Sequence, residues 1–119
     1  MSGIVGLVHL DGKPAEHGEL ESMLSVIAHR GPDGKKIWRE RQAGLGNCLL
    51  HITPESPHEQ LPLKSESGDF IITADARLDN REELLNQLGL TRYPAHQIAD
   101  SRLILAAYEK WGERCVEKL

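Results

Sequence analysis

A nearly unbroken apolar run, Ile4-Val5-Gly6-Leu7-Val8-His9-Leu10, starts at the fourth residue and stops at Asp11-Gly12, a turn signal. A run this short, closed by a turn, has strand length and predicts a strand buried on both faces. The chain is thus committed to a sheet from its first residues, and later segments have to flank and cover it. Only 4% of residues are aromatic, against 39% hydrophobic in all, so Leu, Ile, Val and Ala must fill the core. At 119 residues the chain fits one domain, which buries somewhat under about 70% of its unfolded surface.

The pattern after that strand changes period. Leu20, Met23, Leu24 and Ile27 share one face at helical spacing, and Gly31-Pro32-Asp33-Gly34 ends that helix near Ala28. Ile37-Trp38 and then Leu45 to Ile52 read as strands separated by a Gly-containing turn. Thr53 to Pro62, polar and holding three prolines, reads as a loop, and Asp69 to Ala74 as the next strand. Asn80 and Glu83 have the spacing of a capping box ahead of Leu84, Leu85 and Leu88, with Gly89 as the stop. Asp100 is placed to cap a further helix with Leu103, Ile104, Ala107, Tyr108 and Trp111 on its apolar face, ended by Gly112. Cys115, Val116 and Leu119 begin another stripe, which is expected to meet a partner surface or a continuation of the chain. Strands, helix, strands, then helices, without regular βαβ alternation, argue for an α+β sandwich over a doubly wound sheet.

Charge and composition exclude some functions. The formal net charge of −4, with Lys and Arg interleaved among acids, gives no basic stripe for nucleic acid. No apolar run reaches the roughly 18 residues of a membrane span. Met1 to Gly6 lacks the basic start and apolar middle of a signal peptide, and the expected compartment is the cytoplasm. Cys48 and Cys115 are isolated and read as reduced, buried thiols; Cys48, mid-strand, reads as a small core residue and not a nucleophile. His9, His29, His51 and His58 fall on different elements without ligand spacing, so no metal site is expected. Asp75, Asp79 and Asp100 do not read as a carboxylate pair, since Asp79 leads into the helix capped at Asn80. Gly44-Leu45-Gly46 is too short for a phosphate loop.

Four segments in one order carry a family resemblance. Met1-Ser2-Gly3-Ile4-Val5-Gly6 is similar to the opening of class-II glutamine amidotransferase domains, which have Cys where Ser2 stands. His29-Arg30-Gly31-Pro32-Asp33-Gly34 matches a signature loop of asparagine synthetases. Asp75 to Leu85 resembles a segment that in active members reads Asn-Gly-Glu-Ile-Tyr-Asn-His, and Asp100 to Leu119 looks like the helix that follows. The resemblance implies a four-layer αββα N-terminal-nucleophile hydrolase-like sandwich, with residues 1–119 a partial domain. It also implies a synthetase domain, absent here, as partner in cis or trans. No cofactor is expected in this chain; ATP and Mg²⁺ are implied only for that synthetase domain.

The same resemblance assigns roles position by position. Residue 2, exposed by removal of Met1, is the nucleophile, and its own α-amine, with a reference pKa of about 7.7–8.0, is the base. Ser2 is a weaker nucleophile than Cys and leans harder on the remaining groups. The oxyanion hole uses an Asn side chain and the following Gly, where this chain has Asp75 and Ala76. An ionised carboxylate cannot donate a hydrogen bond and repels the developing negative oxygen. Losing one such donor costs about 2.7–4 kcal/mol in a protease, and a like charge costs at least as much. The Arg that grips the substrate carboxylate is replaced by Leu49, while Asp100 keeps the position that holds the glutamine amine. The expected function is a degenerate glutaminase-like domain acting as scaffold or interaction module, with a precursor peptide as a further partner. The Met-Ser start, Thr53-Pro54-Glu55-Ser56 and Ala74 to Arg81 look most like lasso-peptide macrolactam synthetases, with β-lactam synthetases near them. Two alternatives remain: a Ser-dependent amidohydrolase whose Asp75 takes a cationic group, and a fragment of a glutamine-hydrolysing asparagine synthetase.

Overall fold

A computed structural model describes residues 2–119. They form two compact units, one built from residues 2–52 together with Thr73–Asp75, the other from Thr53–Ile72 and Ala76–Leu119. Both mix helix and strand, so the α+β class holds.

In the first unit, strands β1 (Gly3–Val8), β2 (Gly34–Glu40) and β3 (Ala43–Leu49) make an antiparallel sheet in the order β1-β3-β2. Helix α1 (His17–Ile27) covers one face of it. Leu20 and Leu24 are fully buried there, each contributing about 1.5–3 kcal/mol by leaving water. They come so close because β3 presents glycines beneath them: a Cβ on Gly44 would stand 2.4 Å from Leu20 Cδ1, and one on Gly46 2.9 Å from Leu24 Cδ1. Gly44 therefore lies inside a strand, not in the expected turn. The reversal is made by Arg41 and Gln42, with Arg41 in the left-handed region at φ 52°. β1 also departs from expectation. It alternates, with Ile4 49% and Val8 56% exposed, because α1 covers only the face bearing Gly3, Val5 and Leu7.

β3 stops at Leu49, short of the expected Ile52. The next two backbone N–H groups leave the ladder: Leu50 donates to Ser2 Oγ at 3.0 Å and His51 to Asp33 Oδ2 at 2.7 Å.

In the second unit, β4 (Leu63–Lys64) and β5 (Ile71–Ile72) pair antiparallel, and helices α2 (Arg81–Gln87) and α3 (Asp100–Trp111) follow. Leu78, Leu84, Leu85, Ile98 and Leu103 form its core. The strand expected over residues 69–74 shrinks to β5. Thr73 and Ala74 belong to the first unit, bonded to Asn47 in place of a strand ladder. The expected capping box of α2 does not form. Asn80 Nδ2 donates to the Lys118 carbonyl at 2.7 Å, and Glu83 accepts from Gln87 one turn on. Gly89 (φ 68°) and Gly112 (φ 61°) stop α2 and α3 as expected. Of the final stripe Cys115 is buried, while Val116 is 71% exposed.

Candidate functional site

Ser2 immediately precedes β1 and is 8% exposed. Its Oγ accepts the Leu50 N–H, and its carbonyl accepts Arg30 Nε–H at 3.2 Å. One lone pair of the hydroxyl is thus occupied. Removal of Met1 concerns a residue outside those described. Two residues of the Gly-Pro loop segment tie down this corner, Arg30 on Ser2 and Asp33 on His51.

Leu49 ends β3 directly opposite Gly34, and its side chain lies over that glycine, 3.7 Å from where a Cβ would stand. On the same face of β3, Asn47 is fully buried. Its Nδ2 donates to Thr73 Oγ1 and to the Ala74 carbonyl, both at 3.3 Å, and Thr73 Oγ1 donates to the Gly46 carbonyl. Among the described residues, Asn47 Oδ1 finds no hydrogen-bond partner. Asn47 thereby fixes the segment that ends in Asp75, whose carboxylate is exposed. Positions 2, 49 and 75 of this unit supply a hydroxyl, an alkyl group and a carboxylate. That set offers neither a cation for a substrate carboxylate nor a neutral amide donor at position 75.

Ala76 and Asp100 belong to the second unit. Ala76 is exposed. Asp100 is 6% exposed and is the one buried charged residue among those described. It does not cap α3 through its side chain: the N-cap is Ala99, and Glu59 takes the Ser101 N–H at 3.2 Å while accepting from Ser101 Oγ. The Asp100 carboxylate turns elsewhere, Oδ2 accepting the Leu78 N–H at 3.0 Å and Oδ1 meeting Arg81 Nη1. Arg81 Nη2 also donates to the carbonyls of Ala95 (3.0 Å) and Ile98, and its Nε lies 3.8 Å from Glu55 Oε1. Arg81, Glu55 and Asn47 are the residues that sequence reading passed over. The only advance sign was Arg81 standing in the Asp75 to Leu85 segment where active relatives carry His.

The lesser candidates separate cleanly. Cys48 is 1% exposed, its thiol 3.4 Å from the Ile27 carbonyl and 3.6 Å from that of Gly3, a core position as expected. Asp79 pairs with Arg77 at 3.2 Å. His29, His51 and His58 are exposed. Among the described residues no three His, Cys, Asp or Glu side chains converge on a metal-sized space, and no helix is long and apolar enough to cross a membrane.

His9 Nε2 lies 2.8 Å from Glu19 Oε2, which also accepts the Glu16 N–H at 3.0 Å. The His9 contact first, and that N–H second, hold the Glu19 carboxyl below its ordinary value of 4.5. A depressed carboxylate pKa stabilises the fold above the ordinary value, and the effect is lost as pH falls through the folded one. Thermal melts of Glu19→Gln should therefore lie below those of the parent at neutral pH and converge on them below pH 4.5. A constant offset at all pH values would contradict this.

The family follows from comparison with known proteins. Residues 1–119 match the glutamine amidotransferase domain, and the chain belongs to that family. It is 26% identical over 121 residues to the glutamine-hydrolyzing asparagine synthetase 3 of Bacillus subtilis, covering 100% of this chain and 20% of that protein. It is 28% identical over 123 residues to the nodule asparagine synthetase of Pisum sativum, again covering 100% and 20%. Amidase chry2 of Gibberella zeae is 31% identical over 96 residues, 79% of this chain and 14% of that protein. The chain thus spans a fifth or less of the length of these three relatives. The resemblance to the amidotransferase domain of asparagine synthetases stands at this level.

Proposed function

We propose that this chain is a glutaminase-like domain of an asparagine-synthetase-like, ATP-dependent amide-forming enzyme, and that it serves as scaffold or interaction module without hydrolysing glutamine. One observation carries the reading: in the unit that holds Ser2, position 75, which follows the Ala74 carbonyl held by Asn47, is a carboxylate, and position 49 is an alkyl group. In the roles that the family resemblance gives these positions, a tetrahedral oxyanion beside Ser2 would meet negative charge, and a glutamine carboxylate would meet Leu49. The four-layer αββα arrangement belongs to this proposal, supported by the family match and by the exposed β1 side chains Ile4 and Val8. So do a cytoplasmic location, a synthetase partner domain carrying ATP and Mg²⁺, and a kinship with lasso-peptide macrolactam synthetases acting on a precursor peptide. The DNA beyond the codon for Leu119 tests the partner: an in-frame ATP-binding domain or a neighbouring short-peptide gene supports it.

Ammonia release from L-glutamine should remain at background for the purified protein, with Ser2→Ala indistinguishable from the parent. Turnover that disappears in Ser2→Ala would overturn the scaffold reading. The second reading, a Ser-dependent amidohydrolase, draws on the fixed Ser2 hydroxyl and on the amidase among the relatives. It requires Met1 to be removed, which the intact mass decides.

A further inference from the structure

Asp100, Glu55 and the carbonyls of Ala95 and Ile98 form a cradle of four acceptor groups, two of them carboxylates, drawn from two stretches of the second unit, Glu55 and residues 95–100. Such a set suits a planar or tetrahedral organic cation. The cradle is already filled. The Arg81 guanidinium contacts all four groups, with side-chain exposures of 17% for Arg81, 8% for Asp100 and 20% for Glu55. The second Asp100 oxygen accepts the Leu78 N–H, so both carboxylate oxygens already have a partner and the Arg81 guanidinium occupies the cationic position an incoming ammonium would need. Arg81 reaches the cradle from the first residue of α2, and its charge there is tethered by covalent connection to the chain.

We propose that Arg81 is a tethered occupant of an organic-cation site, and that it closes the Asp100 carboxylate to the α-ammonium of free amino acids. The inference rests on the reading above of Asp100 as an amine-contact position. It adds that the site is blocked from within and is not merely unsupported by its lost neighbours. With Arg81 shortened, the cradle should accept a free guanidinium or a primary ammonium ion; with Arg81 in place, it should not.

Two measurements test this. In Arg81→Ala, millimolar guanidinium or methylammonium should raise Tm saturably, by several degrees over equal sodium chloride, while the parent shows no such rise. A folded Arg81→Ala without a saturable cation effect overturns the proposal. The second measurement needs no variant: NMR of the parent protein should show Arg81 Nε–H and Nη–H signals protected from solvent exchange, unlike those of exposed arginines. Arg81 signals that exchange as fast as those of Arg77 would overturn it even where Arg81→Ala does not fold. The glutamine assay is a separate readout. Ammonia release by the parent protein sinks the scaffold reading, whereas a mobile Arg81 in a protein that releases none sinks this inference alone.

Discussion

Replacing Gly31 with alanine is expected to destabilise the protein by about 3 kcal/mol, at the upper end of the usual cost of overpacking. The new methyl would stand 2.3 Å from both the carbonyl carbon and oxygen of Cys48 and 2.6 Å from the Leu49 nitrogen. These are backbone atoms, so no rotamer change relieves the clash; either β3 or the Gly-Pro loop must move. The displacement falls on the residues beside Ser2, since Leu50 holds the Ser2 hydroxyl and Leu49 accepts the Asp33 N–H at 2.9 Å. For a domain of this size a loss of that order lowers Tm by about 10 °C. Gly18→Ala is the matched control. A methyl there meets nothing within 4 Å on α1, and the change should be neutral or raise stability by about 0.5 kcal/mol. Should Gly31→Ala melt with the parent while Gly18→Ala also does, the close approach of loop and strand would be wrong.

The residues that announced themselves in the sequence were those whose role depends on chain-local pattern. The Leu20–Leu24 spacing placed α1, because one face of a helix must be apolar to lie on a sheet. Gly89 and Gly112 placed two helix stops, because a left-handed residue is cheapest as glycine. What the sequence hid depends on partners far along the chain. Asn80 with Glu83 has the local form of a capping box, yet Lys118, 38 residues away, takes the Asn80 amide. Asp100 has the local form of a cap, yet Glu59 does that work and Asp100 serves Leu78 and Arg81. The candidate site divides in the same way. Ser2, Leu49 and Asp75 could be named from motif order, but that Asn47 fixes residues 73 and 74, and so Asp75 after them, required coordinates. Arg81 was the largest omission: a basic residue in the first turn of a helix looks like surface until its four acceptors are seen.

Because Asp100 and Ile98 are buried, removing the guanidinium should cost far more than a surface ion pair. Arg81→Leu leaves the Asp100 carboxylate, among the described residues, with the Leu78 N–H alone, and strips the Ala95 and Ile98 carbonyls of their shared donor. The expected loss is about 3–5 kcal/mol, the range for breaking a buried pair from one side. Asp100→Asn is milder, about 1–3 kcal/mol. The Asn oxygen still accepts the Leu78 N–H, while Glu55 and two carbonyls still hold Arg81. The double variant Arg81→Leu/Asp100→Asn decides between a paired charge and two independent contributions. With the unpaired anion gone, it should be more stable than Arg81→Leu alone, giving a coupling of about 2 kcal/mol in urea-unfolding cycles. If the two changes simply add, or if Arg81→Leu lies within about 0.5 kcal/mol of the parent, Arg81 is an ordinary surface arginine and the cradle has no energetic reality.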